Sequence, residues 1–382
     1  MMRKQVLCAG ISLAAMAIMT SGCSSSSSPS SKGSSAASGE QVGIILPDAV
    51  TSPRWMNADQ PALQADCAKD HLSCDIQNAN DQDATELSEG ENMIDNEHVQ
   101  VLVLASLDQP TAETLTSKAH AAGVKVIDYD RVFGGAGAEP DYYVSFDGVT
   151  VGDQQGQALV SAVKADKSIT KPDVAILNGA TTDGNAVEFN KGYMSVLQPL
   201  ISSGQWKQSA NTWVTGWDNP TALKDFEADY SADANINVIM VANDGMADAI
   251  IPFLQEKGLA GKIIVSGQDS SALGLQEILE GNQTYTIYKP STLEAGPTID
   301  LAKEIVGGDA SPTSVDGYTF KDESYSTTAA AIPSVLQTST VITIANVSVP
   351  VLANYTPYAS VCDTSALIQL CSQHGITPPS TS

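Results

Sequence analysis

Basic residues are scarce in this chain. Nineteen Lys and Arg stand against 44 Asp and Glu over 382 residues, a formal net charge of −25. A surface of that sign repels phosphate backbones, which argues against nucleic acid as a partner. Aromatic residues make up only 5% of the chain, too few for the stacking platforms that hold single strands. The four histidines, His71, His98, His120 and His374, are scattered, and no cysteines stand in C-x-x-C spacing. Neither a histidine metal cluster nor a zinc or redox thiolate motif is therefore present, and no metal or cofactor is expected. There is no G-x-S-x-G elbow, H-E-x-x-H helix or Walker loop to carry a catalytic reading. What the chain does have is apolar substance. Hydrophobic residues make up 42%, enough for a sizeable core, and the length suits two domains rather than one.

The N-terminus is set apart from the rest. Arg3 and Lys4 precede an apolar run from Val6 to Met19 that is broken only by Ser12. That run is shorter than the ~20 residues of an ordinary membrane-spanning helix and reads as an export signal over residues 1–22. Thr20-Ser21-Gly22-Cys23 follows and resembles a bacterial lipobox, with Thr20 where Leu is usual. A lipid on Cys23 would anchor the protein to a membrane surface. The alternative is a plain secretory signal followed by a chance cysteine. Loss of Arg3 and Lys4 with the signal takes 19 basic residues to 17 against 44 acidic ones, a net charge of −27. Ser24 to Gly39 holds ten serines in sixteen residues, so 23–40 reads as a flexible tether. Cys67, Cys74, Cys362 and Cys371 remain in the exported body, where an oxidising compartment invites pairing. Three pairings are open; the short separations favour Cys67–Cys74 and Cys362–Cys371.

From Gln41 onward, short apolar strands alternate with amphipathic helices. Strands are expected at Val42–Leu46, Cys74–Gln77, Val101–Leu104, Val124–Ile127 and Tyr142–Phe146. After a polar break the rhythm resumes with strands at Val174–Leu177, Asn211–Val214, Val238–Val241, Ile263–Val265 and Tyr285–Tyr288. Nearly all-apolar strands separated by helices indicate parallel sheets covered on both faces. The fold class is α/β, with two doubly wound parallel-sheet lobes. In such sheets ligands bind outside the carboxyl ends of the strands, so those positions are the ones to read. They carry Arg54-Trp55, Asp130-Arg131, Asp183 and Asn185, Trp217, Asn243-Asp244, Gln268-Asp269 and Lys289. Asp48 and Asp244 could equally be helix caps, and Trp213 reads as core. The acidic stretch Asn80-Asp81-Gln82-Asp83 lacks the Gly and the terminal Glu of a calcium loop and reads as a helix cap.

The set has a chemical sense. Arg54, Arg131 and Lys289 balance Asp130, Asp183 and Asp269, and indoles supply apolar walls. Fixed carboxylates, amides and guanidinium groups satisfy hydroxyls, which both donate and accept. A balanced polar cleft with tryptophan walls fits a neutral polyhydroxylated ligand better than a phosphate, carboxylate or amine.

These stretches, together with Ser145-Phe146-Asp147, Val151-Gly152, Trp213-Val214-Thr215-Gly216-Trp217, Ser266-Gly267 and Tyr288-Lys289-Pro290, resemble the D-xylose-binding proteins of bacterial sugar ABC transporters. Those are type I periplasmic sugar-binding proteins. The resemblance runs in consistent order from about Val42 to about Ile344. It implies two lobes joined by three hinge crossovers that close on one monosaccharide, D-xylose first, with glucose, ribose, arabinose and galactose as alternatives. It further implies sugar contacts from Arg54, Asp130, Arg131, Asp183, Asn185, Asn243, Asp269 and Lys289, with Trp55 and Trp217 sandwiching the ring. Gly184 stands where that pattern commonly has Asn. The extra cysteines and the stretch after Ile344 also depart from it. The implied lobe boundaries are 41–147 plus about 289–320 for the first, 148–288 plus about 321–372 for the second, and a flexible tail over 373–382. The implied partners are the membrane subunits of an ABC importer. The implied protein is a monomeric, non-enzymatic lipoprotein on the outer side of the cell membrane, of Gram-positive or similar type.

Three rivals stand beside this. A sugar sensor would use the same body to feed a receptor. An exported glycosidase would need a carboxylate pair such as Asp183 with Asp269, but positive partners would keep those groups ionised. A transcription repressor of this fold would need a helix-turn-helix where the export signal and serines stand.

Overall fold

The structure, a computed structural model, describes residues 41–379 apart from 136 and 316. The export signal expected over 1–22, the tether over 23–40 and Cys23 lie outside the described residues.

Strand β1 (Val42–Leu46) shows how the first lobe is built. All five residues are buried, and alternate side chains leave on opposite faces. Val42, Ile44 and Leu46 enter one core, whereas Ile45 enters another with Leu102, Leu104 and Leu115. A strand buried on both faces belongs in a covered parallel sheet. β2 (Cys74–Asn78), β3 (Val101–Leu104), β4 (Lys125–Tyr129) and β5 (Tyr142–Phe146) complete the first series, with α1 (Gln60–Lys69), α2 (Asp83–Asn92) and α3 (Gln109–Ala122) between the first four. Gly123 ends α3 at φ +80°, a left-handed stop that suits glycine.

The chain then crosses to a second lobe through α4 (Gly148–Ala165). There β6 (Asp173–Asn178), α5 (Gly184–Ser202), β7 (Lys207–Trp213), α6 (Asn219–Ala232), β8 (Val238–Val241), α7 (Asp244–Glu256), β9 (Ile264–Val265), α8 (Ala272–Glu280) and β10 (Tyr285–Tyr288) follow. Four of the strands form a parallel sheet in the order β7-β6-β8-β9. Thr284 donates its N–H to the Val265 carbonyl and brings β10 alongside. Helices α4 and α5 pack backbone to backbone. A Cβ on Gly152 would collide with the Phe189 carbonyl, and one on Gly192 with that of Val149. This close approach fixes the start of α5, where two candidate site residues stand.

A second crossover returns the chain through α9 (Thr292–Val306) to the first lobe, where β11 (Ser314–Val315) and β12 (Tyr318–Thr319) form a small hairpin. β13 (Lys321–Glu323) and β14 (Ile332–Gln337) then extend the first sheet to the order β13-β14-β5-β4-β3-β1-β2, with β14 parallel to β5. The third crossover therefore falls between Gln337 and β15 (Thr340–Thr343), which pairs antiparallel with β10. This corrects the boundary expected near residue 320. Residues 321–337 belong to the first lobe because β14 covers β5, which would otherwise be an open edge.

The chain ends in an appendage, α10 (Val349–Leu352), α11 (Tyr358–Val361) and α12 (Ser365–Gln373), whose Val361, Leu367 and Cys371 share a core with Leu275 and Ile278 of α8. Ile376 is buried in the same core and donates its N–H to the Cys371 carbonyl, so packing continues past residue 372, beyond the start expected for a flexible tail. Both favoured disulfides, Cys67–Cys74 and Cys362–Cys371, are formed.

Candidate functional site

Carboxyl ends of strands from both lobes meet at one narrow cleft of about 20 Å3. All ten residues singled out in the sequence line it: Arg54, Trp55, Asp130, Arg131, Asp183, Asn185, Trp217, Asn243, Asp269 and Lys289. Ser52, Phe189 and Gln268 join them. Trp213 does not; it packs partly buried against the second lobe's core.

Asp130 is the centre of the arrangement. It follows β4 in a left-handed backbone, φ +62°, a conformation that a non-glycine residue adopts only when its surroundings enforce it. Here the enforcement is visible. The Asp130 carbonyl accepts from the hydroxyls of Tyr143 at 2.7 Å and Ser145 at 2.8 Å. Its carboxylate accepts from Arg54 Nη1 at 2.8 Å and from Asn185 Nδ2, across the cleft, at 2.9 Å. Burial alone would raise the Asp130 carboxyl. The charges of Arg54, Lys289 and Arg131 outweigh it and hold the group below its ordinary value. Trp217 at φ +55° and Asp269 at φ +94° also have positive φ, so three cleft residues sit in disfavoured backbone.

Helix starts aim the second lobe's groups. Asp183 caps α5 through the Asn185 N–H at 2.9 Å and accepts from Trp217 Nε1 at 2.9 Å. Its Oδ2 lies 3.1 Å from Arg131 Nε of the first lobe. Burial pushes the Asp183 carboxyl up, more than Arg131 pulls it down. Positive partners therefore do not bring the Asp183 carboxyl below its ordinary value. Asn243, rather than Asp244, caps α7 by accepting from the Met246 N–H, and its Nδ2 reaches Ser52 Oγ across the cleft at 3.4 Å. Asp244 instead accepts from Gln283 Nε2 and the Ser271 N–H, both at 2.8 Å. Asp48 does cap its loop, accepting from the N–H groups of Val50, Thr51 and Ser52. Asn80 and Asp81 adopt left-handed backbone, and α2 begins after Gln82 with no side-chain cap. The cap expected from 80–83 is therefore absent.

The two indoles have distinct surroundings. Trp55 is 2% exposed, and the guanidinium carbons of Arg54 and Arg131 lie 4.6 and 5.4 Å from its ring centre. Trp217 covers Gly179, where a Cβ would run into the ring. Lys289 Nζ lies 3.4 Å from Asp269 Oδ1 and 5.2 Å from the Phe189 ring centre.

Two essential supports were not evident in the sequence. Asp59 and Glu294 are fully buried and grip Arg54: Nε and Nη2 donate to Asp59 at 2.8 and 2.7 Å, and Nη2 to Glu294 at 2.8 Å. With them the acids outnumber Arg54, Arg131 and Lys289, so the even balance read from the sequence does not hold. Burial, reinforced by Asp130 and Asp59, pushes the Glu294 carboxyl well up. Phe189 carried a findable signal, since it stands one helical turn beyond Asn185 on α5. Asp59 and Glu294 carried none.

Several buried polar atoms of cleft residues have no hydrogen-bond partner: the donors Trp55 Nε1 and Arg131 Nε, and the acceptors Gln268 Oε1 and Asp269 Oδ1. Arg131 Nε is near Asp183 but misaligned for a hydrogen bond. Unmet donors and acceptors side by side are what a ligand of hydroxyls would satisfy.

Two doubly wound lobes, three crossovers and one polar cleft between them define a two-lobed binding protein of the type I periplasmic architecture. Residues 42–310 match the family described as periplasmic binding protein domain, and the chain belongs to that family. It is 37% identical over 234 residues to the D-xylose-binding periplasmic protein of Escherichia coli (strain K12), covering 61% of this chain and 68% of that one. It is 31% identical over 280 residues to the multiple sugar-binding periplasmic receptor ChvE of Rhizobium radiobacter, covering 70% and 78% respectively. Its fold matches a carbohydrate transporter solute binding protein from Chloroflexus aurantiacus, solved in complex with D-glucose. There the TM-score is 0.74 and the identity 26%, over 84% of this chain and 97% of that one.

Proposed function

We propose that this protein captures a monosaccharide, D-xylose first, between its lobes outside the cytoplasm and delivers it to an ABC importer. The observation that carries the reading is the set of unpartnered donors and acceptors at Trp55, Arg131, Gln268 and Asp269 within one cleft. The xylose- and glucose-binding relatives support it. Arg54, Asp130, Arg131, Asn185, Asn243, Asp269 and Lys289 serve as hydroxyl partners, and Trp55 and Trp217 as apolar walls. Asp183 orients Trp217 and Arg131 as well as facing the sugar.

The mechanism is a hinge. Sugar bridges groups of the first lobe to groups of the second and favours the closed form, which a transporter recognises. A pentose has about ten non-hydrogen atoms; at roughly 0.8 kcal/mol each, affinity is about micromolar. Closure excludes water and strengthens each hydrogen bond. Catalysis has little support, because Asp130 and Asp183 already accept from Arg54, Asn185 and Trp217, and Asp269 is ion-paired with Lys289. A receptor-feeding role is the second reading, favoured by the relative described as a receptor.

Calorimetry with a panel of xylose, glucose, ribose, arabinose and galactose tests the assignment. Xylose is expected to bind at about micromolar Kd, and Asp269→Ala to weaken it by about 2–4 kcal/mol by leaving buried partners unmet. Absence of binding by every aldose would end the reading. The lipid anchor on Cys23 is tested separately. Cys23→Ser is expected to move the protein from the membrane fraction to the soluble exported fraction, and unchanged partitioning would remove the anchor.

A further inference from the structure

The cleft has a neighbour. A chamber of about 210 Å3 adjoins it, and Ser52, Arg54, Asn243 and Asp269 line both spaces. Its outer wall is the appendage, through Tyr355, Thr356, Pro357 and Ser360. That wall is fastened to the site. Thr356 Oγ1 donates to the Ser270 carbonyl at 2.8 Å, and Gln276 Nε2 to the Ser360 carbonyl at 3.0 Å. Between the two spaces stands the 3.4 Å contact of Asn243 Nδ2 with Ser52 Oγ, a long bond readily exchanged for one to a ligand hydroxyl.

The lining has a definite chemistry. Tyr355 packs its ring edge-on against Tyr288, with centroids 5.1 Å apart at 71°. Tyr355 lines the chamber together with Arg54 and Asp269, which also line the cleft. Ser270 Oγ is buried, lines the chamber and has no hydrogen-bond partner. Carboxylates engage four of the five Arg54 N–H groups, so the groups left to a ligand are one Arg54 N–H, the Asp269 carboxylate, amides, hydroxyls, prolines and a phenol ring. Such a wall suits an uncharged ring with hydroxyls on its rim and C–H groups on its face.

We propose that this chamber is a second sugar subsite, so that the protein takes a disaccharide with one ring in the cleft and the next against Tyr355. The proposal rests on the sugar-binding reading above and extends its substrate class from a single sugar to a glycosidically linked pair. Calorimetry on the full chain compares xylose with xylobiose and glucose with cellobiose. At least one disaccharide is expected to bind about tenfold or more tightly than its monosaccharide. Tyr355→Ala is expected to abolish that gain while monosaccharide affinity stays unchanged, which also reports an intact fold. Ser360→Trp, placed on the exposed rim, is expected to do the same by obstruction. Disaccharides binding no more tightly than the monosaccharides, or a gain that survives both variants, would overturn the second subsite and leave the monosaccharide reading standing. Binding of neither kind of sugar would remove both.

Discussion

Arg54 shows what one side chain demands of its surroundings. Its guanidinium is buried and donates to three carboxylates, and their charges outweigh burial to hold its pKa well up. Asp59 is the firmest of the three, bidentate to Arg54 and also accepting from the Tyr129 hydroxyl at 2.7 Å. Asp59→Ala leaves a buried cation short of two bonds and a phenol short of one. Stability is expected to fall by about 3–5 kcal/mol, as for other buried pairs broken on one side. Sugar affinity should fall as well, because Arg54 presents Asp130. Urea denaturation checks the first effect, Asp59→Asn should lose less, and an Asp59→Ala loss below about 1 kcal/mol would show the pair to be screened. Residues that face the ligand were legible in the sequence because parallel sheets put them at strand ends. Asp59 and Glu294 were not. Each sits in or beside a helix with no spacing that reports a guanidinium on its inner side. The left-handed backbone at Asp130, Trp217 and Asp269 was equally hidden; at Asp130 and Asp269 it is held by bonds to strands distant in sequence, β5 and β10.

At the scale of elements, the βα rhythm carried most of the fold because continuous apolar strands have few other stable settings. It failed at 321–337, where two short strands with mixed polarity gave no periodic signal, and pairing with β5 decided the lobe. It also understated the appendage. Helices of four residues, such as α10 and α11, have little intrinsic stability and need tertiary anchors. One anchor is the α8 core, and the other is the Cys362–Cys371 bridge, whose cysteines are 4% and 0% exposed. A bridge closing so short a loop contributes about 2.5 kcal/mol in the chain-entropy view. Replacing both cysteines by Ser is therefore expected to lower stability by about 2–3 kcal/mol and to admit protease near residues 353–364. Intact-mass analysis of timed digests would follow this. Protection equal to that of the parent protein would mean that the α8 contact suffices.

The whole molecule carries its acidity inward as well as on its surface. Burial pushes the carboxyls of Glu86 and Asp244 up to about 7 and raises Asp128, Asp248 and Glu294 well above the carboxylate range. In the unfolded chain such groups titrate near pH ~4. Between those values the native state holds more protons, so stability falls as pH rises, and for Glu86 and Asp244 the cost is fully developed above about pH 7. Repulsion within a chain of net charge −25 acts in the same direction. Asp130 acts oppositely. Its lowered carboxyl contributes stability that is present above its unfolded pKa and is lost as pH falls through the folded value. The two trends place the optimum in mildly acidic solution, near pH ~5. Thermal unfolding from pH 4 to 8 is expected to show a higher midpoint at pH 5.5 than at pH 8. Glu86→Gln separates interior from surface, because the amide keeps an acceptor for the Leu107 N–H, which Glu86 binds at 3.0 Å, and loses the charge. If the buried acids are responsible, that variant flattens the decline between pH 6 and 8. An unchanged slope would assign the decline to surface repulsion, and a midpoint that climbs steadily to pH 8 would contradict both.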